Sequence, residues 1–136
     1  MEFANSPPQW VFPAYKAGVE GFDVWIKALD TGQANGFGLA YNAAVWNECR
    51  QHAARFLREA KDRICGSAGS LFDEAAGHYS GAAENLALVA EKFAFPPQGD
   101  ELKDSARVRF AIDTLGKARA AEAGGLASLT KLSEAL

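Results

Sequence analysis

Two carboxylate–imidazole pairs are the residues of this sequence best suited to chemistry. Glu48 and His52 lie four residues apart, and Glu74 and His78 repeat that spacing further along the chain. On a helix, this spacing places both side chains of a pair on one face. Carboxylates and imidazoles that project from facing helices build the metal sites of helical bundles. The pattern therefore indicates a candidate metal site formed by Glu48, His52, Glu74 and His78.

Other features of the sequence weigh against a metal-dependent enzyme. The spacing differs from the Glu-x-x-His of di-iron carboxylate bundles, and the two histidines of the chain are too few for a three-histidine site. The sequence also lacks a Gly-x-Ser-x-Gly elbow, a phosphate-binding glycine loop and a Cys-x-x-Cys pair. We therefore expect no metal or other cofactor, and a metal-dependent bundle enzyme remains the alternative to a non-enzymatic binding module.

Some of these residues, Glu48 and His52, would alternatively line a polar ligand-binding pocket. Glu48 and His52 interrupt an otherwise apolar stripe, and a buried carboxylate is costly unless it is paired or hydrated. Glu48 should therefore face either His52 or a hydrated cavity. Such a cavity would suit a small aromatic molecule, and that molecule would be cationic if Glu48 contacts it. The simpler interpretation is that Glu48 and His52 satisfy each other at the edge of the core. The predicted ligand-binding residues are Tyr41, Asn42, Trp46, Glu48, His52 and Tyr79.

Apolar periodicity predicts the helices that position these residues. Stripes at spacings of three and four predict helices over about 13–30, 37–65, 70–93 and 105–136. The predicted buried stripe of the second helix runs through Glu48 and His52 and contains these apolar residues: Phe37, Tyr41, Ala44, Val45, Ala53, Phe56, Ala60 and Ile64.

Short loops between these four helices predict antiparallel neighbours. The expected fold is therefore an all-α, four-helix, up-down-up-down bundle over residues 13–136, preceded by an extended arm at 1–12. No alternating run of β-branched residues predicts a strand. Ser70 and Asp73 resemble a capping box at the start of the third helix.

Glycines inside the predicted helices each cost about 1 kcal/mol relative to alanine, so close packing or a ligand should offset them. Close helix packing is the favoured explanation. The adjacent Gly124 and Gly125 predict a kink or a close approach in the fourth helix. Further glycines inside the predicted helices include Gly18, Gly21, Gly77, Gly81 and Gly116.

Composition and charge limit the classes of binding partner and the cellular compartment to be expected for this protein. The net charge of -3 is dispersed without a basic run, which disfavours nucleic acid. No apolar stretch approaches the ~20 residues of a membrane span, and the amino end lacks a signal-peptide pattern, so a cytoplasmic protein is expected.

Cys49 and Cys65 lie about 24 Å apart on one predicted helix, too far for a disulfide, and should be free and buried.

The predicted fourth helix is longer than the first helix, which would have to cover its apolar stripe. Its apolar stripe spans about 45 Å, whereas the first helix offers only about 18 residues. An uncovered apolar stripe favours association. We therefore predict a homodimer through the carboxy-terminal helix, near Leu126, Leu129 and Leu132.

Three segments of the sequence resemble the helical region of bacterial proteins similar to butirosin biosynthesis protein H. These segments are AGVEGFDVWI at 17–26, GLAYNAAVWNE at 38–48 with FLREA at 56–60, and FAFPP at 93–97. In that family the helical part follows a cysteine-peptidase-like domain that performs acyl transfer. The resemblance implies an accessory helical module without that domain, either alone or as part of a larger protein, and carries over no catalytic residue. Such a module would bind a small molecule or a partner protein.

Overall fold

The computed structural model describes residue 13, residues 15–64 and residues 68–136. Those residues form four α-helices and no strand, which confirms the predicted all-α, up-down-up-down four-helix bundle. A short 3₁₀ helix, not predicted from the sequence, precedes the last of them. The helices are α1 (Val19–Asp30), α2 (Gly36–Arg63), α3 (Gly69–Lys92) and α4 (Ser105–Ala135), and the 3₁₀ helix is Glu101–Lys103. The predicted arm at 1–12 lies outside the described residues.

The first helix begins later than predicted because of Gly18. This residue has φ 60° and ψ -140° at the position before α1, in the left-handed half of φ space that non-glycine residues avoid. A regular helix therefore cannot continue through it from residue 13. α1 consequently has only 12 residues, against 28 in α2.

The starts of α3 and α4 lie within one residue of their predicted positions but differ in their caps. The Asp104 carboxylate accepts hydrogen bonds from the backbone N–H groups of Ala106 and Arg107 and so caps α4. The predicted capping box at α3 is wrong. Ala68 occupies the N-cap of α3 without a side-chain bond, and Asp73 instead accepts a hydrogen bond from Lys61 Nζ at 2.6 Å.

Two clusters of buried side chains form the core. The first joins all four helices through residues such as Phe22, Leu39, Val89 and Leu115. The second joins α2, α3 and α4 beyond the start of α1, through residues such as Phe72 and Leu132. The molecule is therefore a four-helix bundle at one end and a three-helix bundle at the other.

The buried face of α2 differs from the predicted one, although Ala53 and Ala60 of the predicted stripe pack against the second core cluster. Phe37 and Phe56 are 57% and 67% exposed, and Glu48 and His52 also face solvent. The residues of α2 that are buried lie on a different stripe: Leu39, Ala40, Ala43, Ala54 and Leu57. Cys49, expected to be buried, is free and exposed, while Cys65 lies outside the described residues.

The carboxy-terminal part of α4 is covered within its own chain. Leu132 is buried in the second core cluster, and the half-buried Leu129 packs against that cluster. Leu126 is also half-buried. The premise that this stripe lacks an intrachain partner is therefore wrong, and the homodimer loses the reason given for it.

Gly125 lets α3 approach α4 closely. A Cβ atom built there would lie 3.0 Å from Cε2 and 3.1 Å from Cζ of the buried Tyr79 ring, whereas one built at Gly116 meets nothing within 4 Å. Gly124 accommodates His78 in the same way. Close packing is thus the role of this glycine pair. In contrast, Gly77 faces open space.

These surroundings predict opposite effects for one substitution at two sites of α4. Gly116→Ala should stabilise the protein by about 1 kcal/mol, the ordinary helix-propensity gain. Gly125→Ala has the same gain but must displace Tyr79, and overpacking costs about 1–3 kcal/mol. It should therefore be neutral or destabilising by up to about 2 kcal/mol. Urea unfolding of the two variants measures the difference, and equal stabilisation would contradict the close approach.

Candidate functional site

A cleft opens between α1 and α2 and provides the candidate site. α1 packs on α4 and makes few contacts with α2. The cleft has a volume of about 280 Å³, near the lower end of the roughly 300–1,000 Å³ typical of ligand pockets. Aromatic side chains form much of its lining, namely Phe22, Trp25 and Trp46.

Residues before and within the short first helix form one side of this cleft. Gly18 and Gly21 line the cleft beside Lys16 and Ala17 and contribute no side-chain volume. The rings of Phe22 and Trp25 lie on α1 with centroids 6.3 Å apart, and Phe22 is buried while Trp25 is half-buried. The lining therefore combines a fixed aromatic wall with a backbone surface that a ligand can approach.

A larger recess of about 360 Å³ lies at the other end of α1, beside the start of α4. Its lining contains no aromatic ring among the described residues, and it includes turn residues such as Gly32 and Ala34. Aromatic side chains supply large apolar contact areas with specific geometry. We therefore regard the smaller cleft as the better candidate.

A buried ion pair borders the cleft. Glu122 of α4 accepts two hydrogen bonds from Arg50 of α2, from Nε at 2.6 Å and from Nη2 at 2.7 Å. The Glu122 side chain is 5% exposed and that of Arg50 is 17% exposed. Arg50 is also part of the cleft lining. The pair thus links the interior of the bundle, where Glu122 lies, to the cleft that Arg50 lines.

Two aromatic rings hold the guanidinium group of Arg50. Its Cζ atom lies 4.9 Å from the centroid of the Trp46 ring and 5.9 Å from that of Tyr79, both within cation–π range. Burial raises the pKa of Tyr79, with a smaller contribution from the Glu122 carboxylate, while the charge of Arg50 opposes the rise. Tyr79 therefore stays a neutral phenol throughout the physiological range.

The structure brings together only part of the predicted ligand-binding set. Asn42 and Trp46 line the cleft, and Tyr79 lies behind it against Arg50. Tyr41 lies elsewhere, in an exposed aromatic patch with Phe37 and Phe95.

Glu48 and His52 lie outside the cleft. Their side chains are 74% and 55% exposed, with His52 Nε2 3.6 Å from Glu48 Oε1. His52 Nδ1 is also 2.9 Å from Arg55 Nη2. The simpler interpretation, that Glu48 and His52 contact each other, fits this placement, but they do so on the surface and not at the core edge.

The alternative metal site is not assembled. Glu74 accepts a hydrogen bond from Ser128 Oγ at 2.9 Å and lies 3.6 Å from Lys131 Nζ, and these contacts lower its pKa, with the Ser128 bond contributing most. His78 packs against Gly124. No three His, Cys, Asp or Glu side chains in the described part of the chain are placed to hold a metal ion.

Sequence reasoning missed Arg50 and Glu122. A signal for each was present, because Arg50 is in helical register with the buried Ala43, Ala54 and Leu57, and Glu122 follows Ala118 by four positions. A single charged residue on an apolar stripe is an ambiguous sign, however, since long side chains also reach solvent from such positions. The pairing itself depends on how α2 and α4 face each other.

Comparisons with protein-family models, curated proteins and solved structures found no match to this chain. The resemblance to the butirosin biosynthesis protein H family therefore stays an untested prediction. Among the described helices, none is both long enough and apolar enough to span a membrane.

A second, exposed ion pair joins α4 to α1, which forms one wall of the cleft. Asp23 of α1 accepts hydrogen bonds from Arg119 of α4, from Nε at 2.6 Å and from Nη2 at 2.9 Å. These bonds are the largest cause of the lowered pKa of Asp23, which burial partly opposes and the charge of Arg119 reinforces. The ionised carboxylate is thus favoured by the fold.

Acid should loosen this attachment of α1. Because the folded-state pKa of Asp23 lies below its unfolded value of about 3.9, its contribution is complete above that pH and is lost as the pH falls through the folded pKa. Asp23→Asn should therefore flatten the loss of stability below about pH 4. Urea unfolding from neutral to acidic pH measures it. An equal acid dependence in both proteins would show that the pair does not stabilise the fold.

Proposed function

We propose that this protein is a non-enzymatic binding module that holds a small planar aromatic molecule in the cleft between α1 and α2. The observation that carries this proposal is the convergence of Trp25 and Trp46 from different helices on one cleft, beside glycine backbone and a partly buried arginine. Rings of this kind stack on planar ligands and remove large apolar areas from water.

The chemistry of the lining favours binding over catalysis. Its described polar side chains are Lys16, Asn42 and Arg50. None of these is a carboxylate, imidazole or thiol, the groups that most often act as a general base or nucleophile. The lining therefore supports recognition by stacking and hydrogen bonding.

The charge of the lining alters the expected ligand. The sequence favoured a cationic molecule because Glu48 was expected to contact it. Glu48 lies outside the cleft, and the charged residues that do line it are Lys16 and Arg50. We therefore drop the cationic preference and retain the aromatic one.

Removing one ring tests this function. The neutral probe 1-naphthylacetamide should bind wild-type protein with one-site saturation in isothermal titration calorimetry. Trp46→Ala should weaken that binding at least about tenfold, equivalent to about 1.4 kcal/mol, because one aromatic wall is lost. Glu48→Gln is the matched control on the same helix and should leave affinity unchanged. Equal affinity of wild type and Trp46→Ala would contradict the proposal.

A partner protein is the second candidate ligand, and the aromatic patch of Phe37, Tyr41 and Phe95 favours it. These rings are 57%, 47% and 48% exposed, and their centroids lie 5.3–6.0 Å apart. Clustered exposed apolar groups mark interaction surfaces. For a homodimer, this patch is a better face than Leu126, Leu129 and Leu132.

Sedimentation equilibrium tests this second candidate. A dimer formed through the aromatic patch should dissociate more readily in a Tyr41→Ser variant than in wild type. The control variant Leu129→Ser, as long as it stays folded, should dimerise as wild type does. A wild-type monomer at micromolar concentrations would leave no support for self-association through this patch.

A further inference from the structure

We infer that the aromatic molecule held in the cleft carries an acidic group, a carboxylate being the simplest, and that Arg50 binds this group. The inference rests on the proposed function and specifies its ligand class. It follows from how Glu122 uses the guanidinium group of Arg50, from the surroundings of that group and from the charges around the cleft.

Glu122 occupies only one edge of the guanidinium group. It accepts from Nε and Nη2, the two N–H donors on the side edge. A guanidinium group has five N–H donors in a fixed plane. The end edge, with one N–H from each of Nη1 and Nη2, has no acceptor among the described residues. Because Arg50 lines the cleft, we assign this second pair of donors to the ligand.

A carboxylate matches this free edge better than other polar groups do. Two parallel N–H donors bind the two oxygens of a carboxylate in a bidentate arrangement, which is stronger and more directional than a single neutral hydrogen bond. Glu122 and the rings of Trp46 and Tyr79 already hold the guanidinium group in place. Little side-chain freedom is therefore lost on binding.

The other charged residues near the cleft also favour an acidic ligand. Lys16 also lines it, and its Nζ lies 3.4 Å from Glu20 Oε2 in an exposed pair. No described lining residue is a carboxylate, so an amine would find no ionic partner there. The aromatic part of an acid would contact Trp25 and Trp46 while its carboxylate reaches Arg50.

Three probes with one ring system test the ligand class: 1-naphthylacetate, 1-naphthylacetamide and 2-(1-naphthyl)ethylamine. Calorimetry with wild-type protein should show the acid binding at least about tenfold tighter than the amide and the amine weakest of the three. An amide or amine that binds as tightly as the acid would overturn the acid class while leaving the aromatic site intact. Failure of all three to bind would overturn the proposed function together with the inference.

Variants at Arg50 test which residue recognises the acid. Arg50→Lys keeps a cation beside Glu122 but lacks the planar fork, so the preference for acid over amide should fall at least about fivefold. The double variant Arg50→Met/Glu122→Met removes both charges and should bind acid and amide with equal affinity. Lys16→Met is the matched control and should retain most of the preference. Acid preference that survives in the double variant, or disappears in Lys16→Met alone, would contradict the role of Arg50.

Discussion

Arg50→Met should lower the free energy of unfolding by about 3 kcal/mol or more. Glu122 is 5% exposed and bonds to Arg50 through both carboxylate oxygens, so the variant leaves a buried carboxylate without its cation. Removing one partner of a buried ion pair typically costs about 3–5 kcal/mol. The partial exposure of Arg50 places the expected loss toward the lower end. Urea unfolding followed by circular dichroism measures it.

The double variant Arg50→Met/Glu122→Met is the control for this loss. Replacing both members of a buried pair with apolar side chains of similar volume is often neutral or stabilising, so most of the stability should return. A loss in Arg50→Met smaller than about 1 kcal/mol would show that water reaches Glu122. The same result would weaken the role of this carboxylate in orienting Arg50.

Leu57→Ala and Phe56→Ala should differ greatly although the two residues are adjacent on α2. Leu57 is 6% exposed and belongs to the second core cluster, whereas Phe56 is 67% exposed. Truncating a buried leucine costs about 2–5 kcal/mol, while surface substitutions usually stay within about 0.5 kcal/mol. Denaturant unfolding of both variants tests directly which face of α2 is buried.

The opposite order of effects would support the face predicted from the sequence. A large loss in Phe56→Ala with a small loss in Leu57→Ala would mean that α2 is rotated about its axis relative to the structure. Tyr41, Glu48 and His52 would then turn inward, and the cleft would lose Asn42 and Trp46. The two adjacent substitutions therefore also test the location of the candidate site.

Much of the fold was predictable because helix formation is encoded locally. The apolar stripes placed most helix ends near their observed positions. The exception at α1 depends on Gly18, whose positive φ is a conformation that glycine permits but does not require. The local sequence therefore does not decide between that conformation and a longer helix.

The buried face of α2 was not predictable because the helix carries apolar residues on more than one side. The larger side chains, such as Phe37 and Phe56, are exposed, while the buried stripe includes the alanines Ala43 and Ala54. Small residues allow helices to approach closely, so they can dominate an interface without standing out in a hydrophobic pattern. Exposed apolar side chains are common on folded proteins.

The candidate site was predicted in part. Asn42 and Trp46, two of the six predicted ligand-binding residues, line the cleft, and their role in binding stays a prediction. Arg50 and Glu122 were missed because their pairing joins residues 72 positions apart in the chain. No local pattern predicts such a contact, which arises only when α2 and α4 pack together.

The shortness of α1 links the fold to the proposed function. Twelve residues of α1 span about 18 Å, so α1 covers only one end of the bundle. Its first turn, beside Gly18 and Gly21, leaves Trp46 and Arg50 of α2 accessible along the cleft. Phe22 and Leu29 pack this short helix into the first core cluster, and the exposed Asp23–Arg119 pair also joins it to α4. The cleft therefore results from the arrangement of α1 and α2 together with residues 16–18, which precede α1.

Chemical-shift mapping with 1-naphthylacetate tests the central proposal, an aromatic site between α1 and α2, most directly. Titration into ¹⁵N-labelled protein should shift the indole N–H signals of Trp25 and Trp46 and the backbone amides of Gly18 and Gly21, all with one saturation curve. The signals around Glu48 should change little, since that side chain lies outside the cleft. Saturable shifts confined to the surface around Glu48, or no saturable shifts at all, would contradict the proposal.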